Sequence, residues 1–189
     1  MSLKMEMIEK KEAEAEIAKA VRRLALLHLA FAETLVEQFG EAEGKKLIVK
    51  AIRNYGLKIG GKARKDAQDR GLALTPENYM KVPGEPYPSI GTHDSVEINE
   101  ADGRMVIKAK GCLLAKVWKE YGGEKLGRLY CLTDPANFMA YNPEIKFIHL
   151  QAEPDGDDCC ELAFRKTTER EREDFSENRD WSYLDFNQK

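Results

Sequence analysis

Two cysteines, Cys159 and Cys160, stand side by side directly after the turn-forming run Pro154-Asp155-Gly156-Asp157-Asp158. They are poorly placed to bridge each other. Consecutive Cα atoms lie about 3.8 Å apart, whereas a disulfide spans about 4.4–6.8 Å. They read as two separate thiols with different jobs. The stretch CCELAFRK alternates, so Cys160, Leu162 and Phe164 share an apolar face while Cys159, Glu161, Ala163 and Arg165 share the other. Cys160 then points into the interior under helices, and Cys159 is a bystander on the charged face. Cys112 follows Gly111 at the start of a helical stretch, where a helix N-terminus lowers a thiol pKa. Cys131 lies three residues before Asp134, with the phenol of Tyr130 beside it.

Thiolates attack electrophilic carbon, and carboxyl groups nearby move the protons that such attack requires. No Gly-x-Ser-x-Gly elbow offers a serine instead. Cys112, Cys131, Cys160, Asp134 and Asp157 are therefore the catalytic candidates, and Cys112, Cys131 and Cys160 are expected to cluster. Arg128, Tyr130 and Asn142 are the substrate-binding candidates, with Lys116 a further cation able to hold a carboxylate. Each has a plain structural role beside the chemical one. Asp134 before Pro135 suits a helix start, Asp157 suits a turn, and Cys160 suits a small buried apolar position. No Cys-x-x-Cys or His-x-x-x-His spacing marks a metal site. No cofactor is expected; the alternative is zinc on Cys112, Cys131 and Cys160 with His93 or His149, converging only in the fold. His28 lies on an apolar helical stripe and reads as a core or interface histidine. His149 shares a strand face with Ile145 and Phe147, so burial is expected to tune its charge.

The elements that position these residues follow from periodicity. Residues 5–39 read as one long helix, with Ile17, Val21, Leu24, His28, Phe31 and Leu35 on one face. A second runs from Glu43 to Arg70; Gly60 and Gly61 interrupt it where another backbone passes, and Gly71 ends it. A Pro/Gly-rich loop over 72–92 follows, with a helical turn capped by Thr75 before Pro76. The period then changes to two. Val96 and Ile98 lead through EADG to Met105, Ile107 and Ala109, a hairpin. Short helices follow in GCLLAKVWKEYGG and LGRLYCLTDPANFMAYNP, stopped at Asn142-Pro143. EIKFIHLQAE and CCELAFRK make a second hairpin. This is an α+β fold: N-terminal helices packed with an antiparallel sheet of two hairpins separated by short helices. The division is 1–71 helical, 72–92 loop, 93–166 an α+β part forming one compact domain with 1–71, and 167–189 a charged and aromatic tail. TTEREREDFSENRD is expected to be solvated, and the aromatic residues Phe175, Trp181, Tyr183 and Phe186 to dock on the chain's own core.

Composition limits the function classes. The 189 residues are 42% hydrophobic and 33% charged, with a net charge of −3. That gives no basic face for nucleic acid, and no apolar run is long enough to span a membrane. The leader MSL is set aside from the fold, and MSLKMEMIEKKEAEAE has no signal-peptide pattern. Free thiols then imply the cytoplasm. Leu24, Leu26, Leu27 and Leu29 cover several sides of the first helix, which favours a homo-oligomer through the N-terminal helices.

Four blocks in order carry a resemblance: Gly111-Cys112, LYCLTDPA at 129–136, Tyr141-Asn142-Pro143, and GDDCCELAF at 156–164. Together the stretch from Gly111 to Phe164 resembles the L-2-amino-thiazoline-4-carboxylic acid hydrolase family. The resemblance implies hydrolysis of a cyclic amidine to N-carbamoyl-cysteine, a small-molecule substrate and cysteine/aspartate chemistry. The last block also resembles the 4-vinyl reductase type of small-molecule-binding domain. That alternative implies a non-catalytic module with an apolar pocket lined by Met105, Phe138, Met139 and Phe147.

Overall fold

The computed structural model describes residues 8–82, 90–101 and 104–185. Two long helices, α1 (Lys10–Phe39) and α2 (Glu41–Asp69), form an antiparallel pair about Gly40. The α1 face turned to the core is Val21, Ala25, Leu29 and Ala32, at steps of four and three. The α2 face is Gly44, Ile48, Ile52, Gly56, Gly60, Ala63 and Ala67. The predicted span of α2 is right to within two residues at its start and one at its end. α1 begins at Lys10 rather than residue 5, and residues 5–7 lie outside those described.

The helix does not break at Gly60 and Gly61. It runs straight through, and Gly60 marks the close approach that glycine makes possible. A Cβ there would lie 2.1 Å from the Asn137 carbonyl oxygen, and one at Gly56 would lie 2.4 Å from Ala136 Cβ. The segment passing so closely is α6 (Thr133–Tyr141). Gly61 faces open space.

The rest is α3 (Pro76–Tyr79), β1 (Ser95–Ala101), β2 (Arg104–Lys110), α4 (Leu113–Glu120), α5 (Glu124–Gly127), a 3-10 turn over Arg128–Leu132, then α6, β3 (Ile145–Gln151), a 3-10 turn over Glu153–Asp155, β4 (Cys160–Lys166), and α7 (Glu169–Ser176). Thr75 caps α3 by accepting the Asn78 N–H. The four strands form one antiparallel sheet in the order β1-β2-β4-β3. The α+β expectation is met: two hairpins, separated by short helices, packed with the N-terminal helices.

The helix-facing side of the sheet carries Ala109, Cys160, Leu162, Phe147 and His149, all buried. Phe147 stacks on Phe164 at 4.4 Å between centroids, and Phe138 of α6 meets both rings edge-on or tilted. Tyr79 closes the cluster against Phe138 and Tyr141. Phe138, Met139 and Phe147 are thus packed core. Val96 and Ile98 on the edge strand β1 are exposed.

The C-terminal segment is more structured than its charge suggests. Thr168 and Glu171 form a capping box that starts α7. Phe175 is buried against Trp181, edge to face at 5.4 Å, and Arg53 lies over the Phe175 ring at 5.0 Å. Trp181, Leu184 and Asp185 are buried in the same chain. The expectation of a solvated TTEREREDFSENRD is therefore corrected in part: one apolar residue, Phe175, turns one side of α7 inward. Phe186 lies outside the described residues. Among the described residues, no helix is long and apolar enough to cross a membrane.

Candidate functional site

The turn from β2 into α4 presents Cys112. Gly111 has φ +70°, and a Cβ there would lie 1.9 Å from Asp94 Oδ2, so both conformation and space call for glycine. The Asp94 N–H donates to Lys110 O at 2.8 Å and the Leu113 N–H donates to Thr92 O at 3.0 Å. These two bonds lay residues 92–94 along 110–113 and bring His93 against Cys112. Glu153, from the turn before β4, accepts the Gly111 N–H at 2.6 Å and the Cys112 N–H at 3.0 Å.

Cys160 opens β4 on the buried side of the sheet, opposite Ala109, and its Sγ accepts the Glu153 N–H at 3.5 Å. Its thiol hydrogen-bonds to Cys112. Cys112 also receives hydrogen bonds from His93 and from the Ala115 N–H in the first turn of α4. The Cys160 bond, with His93 and Ala115, outweighs burial and holds the Cys112 thiol down to about 4. The Cys160 thiol is pushed far up, first by its bond to Cys112 and then by burial. The pair shares one proton. Cys112 has more donors aimed at it, so Cys112 is the thiolate and Cys160 the donor.

A second set of groups lies beside the pair. His149 sits on β3, an edge strand whose outer N–H groups have no ladder partner. Asp185, at the end of the C-terminal segment, takes the His149 N–H at 2.9 Å and also bonds the ring Nδ1, with Oδ1 at 3.0 Å and Oδ2 at 3.1 Å. Arg128 reaches the same carboxylate at 2.7 Å and, through Nε, Asp155 at 2.8 Å. On its other side, His149 Nε2 lies 3.8 Å from Asp134 Oδ2. The order Arg128, Asp185, His149, Asp134 alternates in charge when the histidine is protonated. Burial disfavours every charge in it. For Asp185 that is outweighed by His149 and Arg128, and its carboxyl stays below the usual range. For His149 it is outweighed by Asp185 and Asp134, and the imidazole is raised. For Asp134 burial wins, helped by the charges of Asp185 and Cys112, and the carboxyl is pushed up to about 6.

Asp134 is surrounded by protein strongly enough for burial to dominate, yet 24% of its side chain is exposed. Cys131 is likewise half-buried, with its thiol raised by burial. Cys131 feels the charges of Arg128, Asp134, Asp185 and Cys112. An electrophile held against these groups would meet a thiolate, a carboxyl raised to about 6 and a raised imidazole.

The structure thus brings together Cys112 and Cys160, with Cys131 and Asp134 close enough to sense Cys112 electrostatically. Asp157 stands apart and accepts the Ala152 N–H at 2.9 Å, shaping the turn. Asn142 ends α6, donates to Leu74 O at 2.8 Å and accepts the Glu144 N–H at 3.0 Å. Tyr130 is buried among His28, Trp118 and Tyr55. Lys116 pairs with Asp94, and the carboxylates around Arg128 come from the chain itself. Cys159 is not on a charged outer face: it is buried, its thiol donating to Gln151 Oε1 at 3.4 Å. His28 is a core histidine bonded to Leu126 O at 3.0 Å. Glu153 and Asp185 were missed from the sequence, and His93 was named there only as a zinc ligand, not as a hydrogen-bond partner of Cys112; each arrives through a contact between distant segments. Among the described residues, no group of three or more His, Cys, Asp or Glu side chains is placed to share a metal ion.

The family model for L-2-amino-thiazoline-4-carboxylic acid hydrolase matches residues 19–164. The match contains Cys112, Cys131, Asp134, His149 and Cys160 and stops before Asp185. No curated protein matches the chain. Among solved structures, the phenol-responsive sensory domain of the transcription activator PoxR, crystallised with phenol, is similar at a TM-score of 0.49 and 14% identity, covering 84% of this chain and 79% of that one.

Proposed function

The chain belongs to the L-2-amino-thiazoline-4-carboxylic acid hydrolase family, and from that premise we propose that it hydrolyses a small cyclic amidine, with Cys112 as the nucleophile. The observation that carries the reading is the Cys112–Cys160 pair, which stores one thiolate beside one thiol in a water-poor site. In an aminothiazoline ring, the carbon between sulfur and the nitrogens is the electrophile. The Cys112 thiolate adds to that carbon, and the ring carbon–sulfur bond then breaks. The departing sulfur takes a proton from Asp134, whose carboxylate then faces the raised imidazole of His149 at 3.8 Å. The substrate is now held as an isothiouronium on Cys112, with its own thiol free. Asp134, back as a carboxylate, takes a proton from water as the water oxygen attacks the same carbon. Cys112 leaves as the thiolate, again held by Cys160 and His93, and the proton remaining on the oxygen passes to solvent, so that the carbon keeps the oxygen as a urea carbonyl. For the thiazoline carboxylate the product is N-carbamoyl-cysteine.

The scheme uses only the chain's own side chains, and calls on no metal or cofactor. It needs reduced thiols, which suits a cytoplasmic setting. Its test is turnover of the aminothiazoline carboxylate, followed by thiol release and by formation of the carbamoyl product. Wild type is expected to turn over, and folded Cys112→Ala to lose at least about a thousandfold, as loss of a covalent nucleophile does. Ligand binding by the wild type with no product formed would overturn the hydrolase reading in favour of a binding module.

A further inference from the structure

All four cysteines of the chain are free, and the fold sets two of them against each other. Strand β2 runs beside β4 with Ala109 opposite Cys160. Gly111, at φ +70°, then turns the chain, and Cys112 follows. Glu153 ties the two sides together. Its carboxylate accepts the Gly111 and Cys112 N–H groups at 2.6 and 3.0 Å, and its own N–H donates to Cys160 Sγ at 3.5 Å. The Cys112 and Cys160 side chains are hydrogen-bonded to each other. The remaining thiols are held differently. Cys159 donates to Gln151 Oε1 at 3.4 Å, and its place next to Cys160 in sequence brings their Cα atoms closer than a disulfide usually spans. Cys131 is related to Cys112 through charge.

The two paired thiols are unlike. Cys112 is the thiolate and the more open of the two, 8% exposed against 4% for Cys160. It lies beside the half-buried His93, whose Nδ1 is hydrogen-bonded with Thr92 Oγ1 at 3.0 Å. Cys160 is protonated and within hydrogen-bonding reach. A thiolate that meets a small oxidant first, with a protonated thiol poised beside it, is the arrangement of an oxidisable cysteine and its resolving partner.

We propose that Cys112 and Cys160 form a site of reversible oxidative modification, closed to a disulfide by a hydroperoxide and reopened by a dithiol. The Cys112 sulfur attacks one peroxide oxygen and the O–O bond breaks. Cys112 becomes a sulfenic acid, and the departing hydroxide takes a proton from solvent to leave as water. The Cys160 sulfur then attacks the Cys112 sulfur as the S–O bond breaks, and the Cys160 proton leaves with that oxygen as a second water. The pair has lost two electrons and the peroxide has gained them. A dithiol reverses the bond by exchange, becoming a disulfide itself. Closure removes the thiolate, so hydrolysis at Cys112 would stop until reduction, and it keeps Cys112 from the irreversible sulfinic acid.

The reduced full chain, freed of reductant, is exposed to equimolar hydrogen peroxide, then denatured, alkylated and weighed intact. Free thiols are expected to fall from four to two, with a peptide joining Cys112 to Cys160, and dithiothreitol to restore all four. In Cys160→Ser the sulfenic acid on Cys112 has no resolving thiol and is captured by dimedone in several-fold higher yield than in wild type. Cys131→Ser still forms the bridge. Four thiols surviving the peroxide, a bridge from Cys112 to Cys131, or sulfinic acid on wild-type Cys112 in place of the bridge overturns the proposal. None of these readouts uses a thiazoline, so the oxidation site and the proposed hydrolysis can fail separately.

Discussion

Asp134→Asn should make this protein more stable at pH 8 and less able to do chemistry. Burial raises the Asp134 carboxyl from an ordinary 3.8 to about 6. A carboxyl raised in the folded state contributes stability that is complete below its unfolded pKa and is lost as pH rises through its folded pKa. Above about pH 6 the folded protein therefore carries an ionised carboxylate that it holds less well than the unfolded chain does. The gap between 3.8 and about 6 corresponds to about 3 kcal/mol. The attractions of His149 and Arg128 are already contained in that folded value, because they act to lower it. Asparagine keeps the shape and removes the charge. Urea unfolding from pH 3.5 to 8.5 should show the variant ahead by up to about 3 kcal/mol at pH 8, with the gap closing through pH 6 and gone below about pH 4. Turnover of the proposed substrate should fall sharply in the same variant, as strained functional groups predict. A variant less stable than wild type at pH 8, or a gap that ignores pH, would refute the reasoning.

Cys160→Ala removes the strongest support of the Cys112 thiolate, so the midpoint for Cys112 alkylation should move from about 4 to the ordinary range near about 8.5. The midpoint is the readout, because a more basic thiolate is also intrinsically more reactive and a rate at one pH confounds the two. Asp185→Asn leaves Arg128 and His149 without their shared buried carboxylate. It should cost about 3–5 kcal/mol in chemical denaturation and lower the His149 midpoint by NMR; an unchanged midpoint would remove Asp185 from the relay. Gly60→Ala and Gly61→Ala should act oppositely. The first drives a methyl into the Asn137 carbonyl and destabilises by about 1–3 kcal/mol or more, while the second meets nothing and gains up to about 1 kcal/mol of helix propensity. Equal thermal shifts for the two would sink the backbone-contact explanation.

How far the sequence could be read depended on the range of the forces involved. Periodicity of three and four, or of two, is a local signal, and it located both long helices and both hairpins. The same logic turned Cys160 inward, because one register of β4 places Leu162 and Cys160 on one side. Cys159 defeated it. It precedes the first residue of β4, so strand alternation does not govern it, and its buried thiol donates to Gln151 of β3. His93 was offered with Cys112 only as one of two alternative zinc ligands, because the contact between them depends on backbone bonds from Asp94 to Lys110 and from Leu113 to Thr92. Asp185 was hidden for another reason. It ends a segment whose charge suggests solvent, and only Trp181, Leu184 and Phe175 pull that segment onto the fold. Gly60 was read as an interruption because a sequence does not say which backbone will pass a glycine.

The central claim is that Cys112 forms a covalent bond to the ring carbon. The direct measurement is an acid quench within a single turnover of the aminothiazoline carboxylate, followed by mass analysis of the intact chain and of the peptide containing Cys112. The account predicts a transient gain of one whole substrate mass on Cys112, absent in Cys112→Ser, since ring opening on sulfur loses no atoms. Product formation with no adduct, and undiminished in Cys112→Ser, would contradict it.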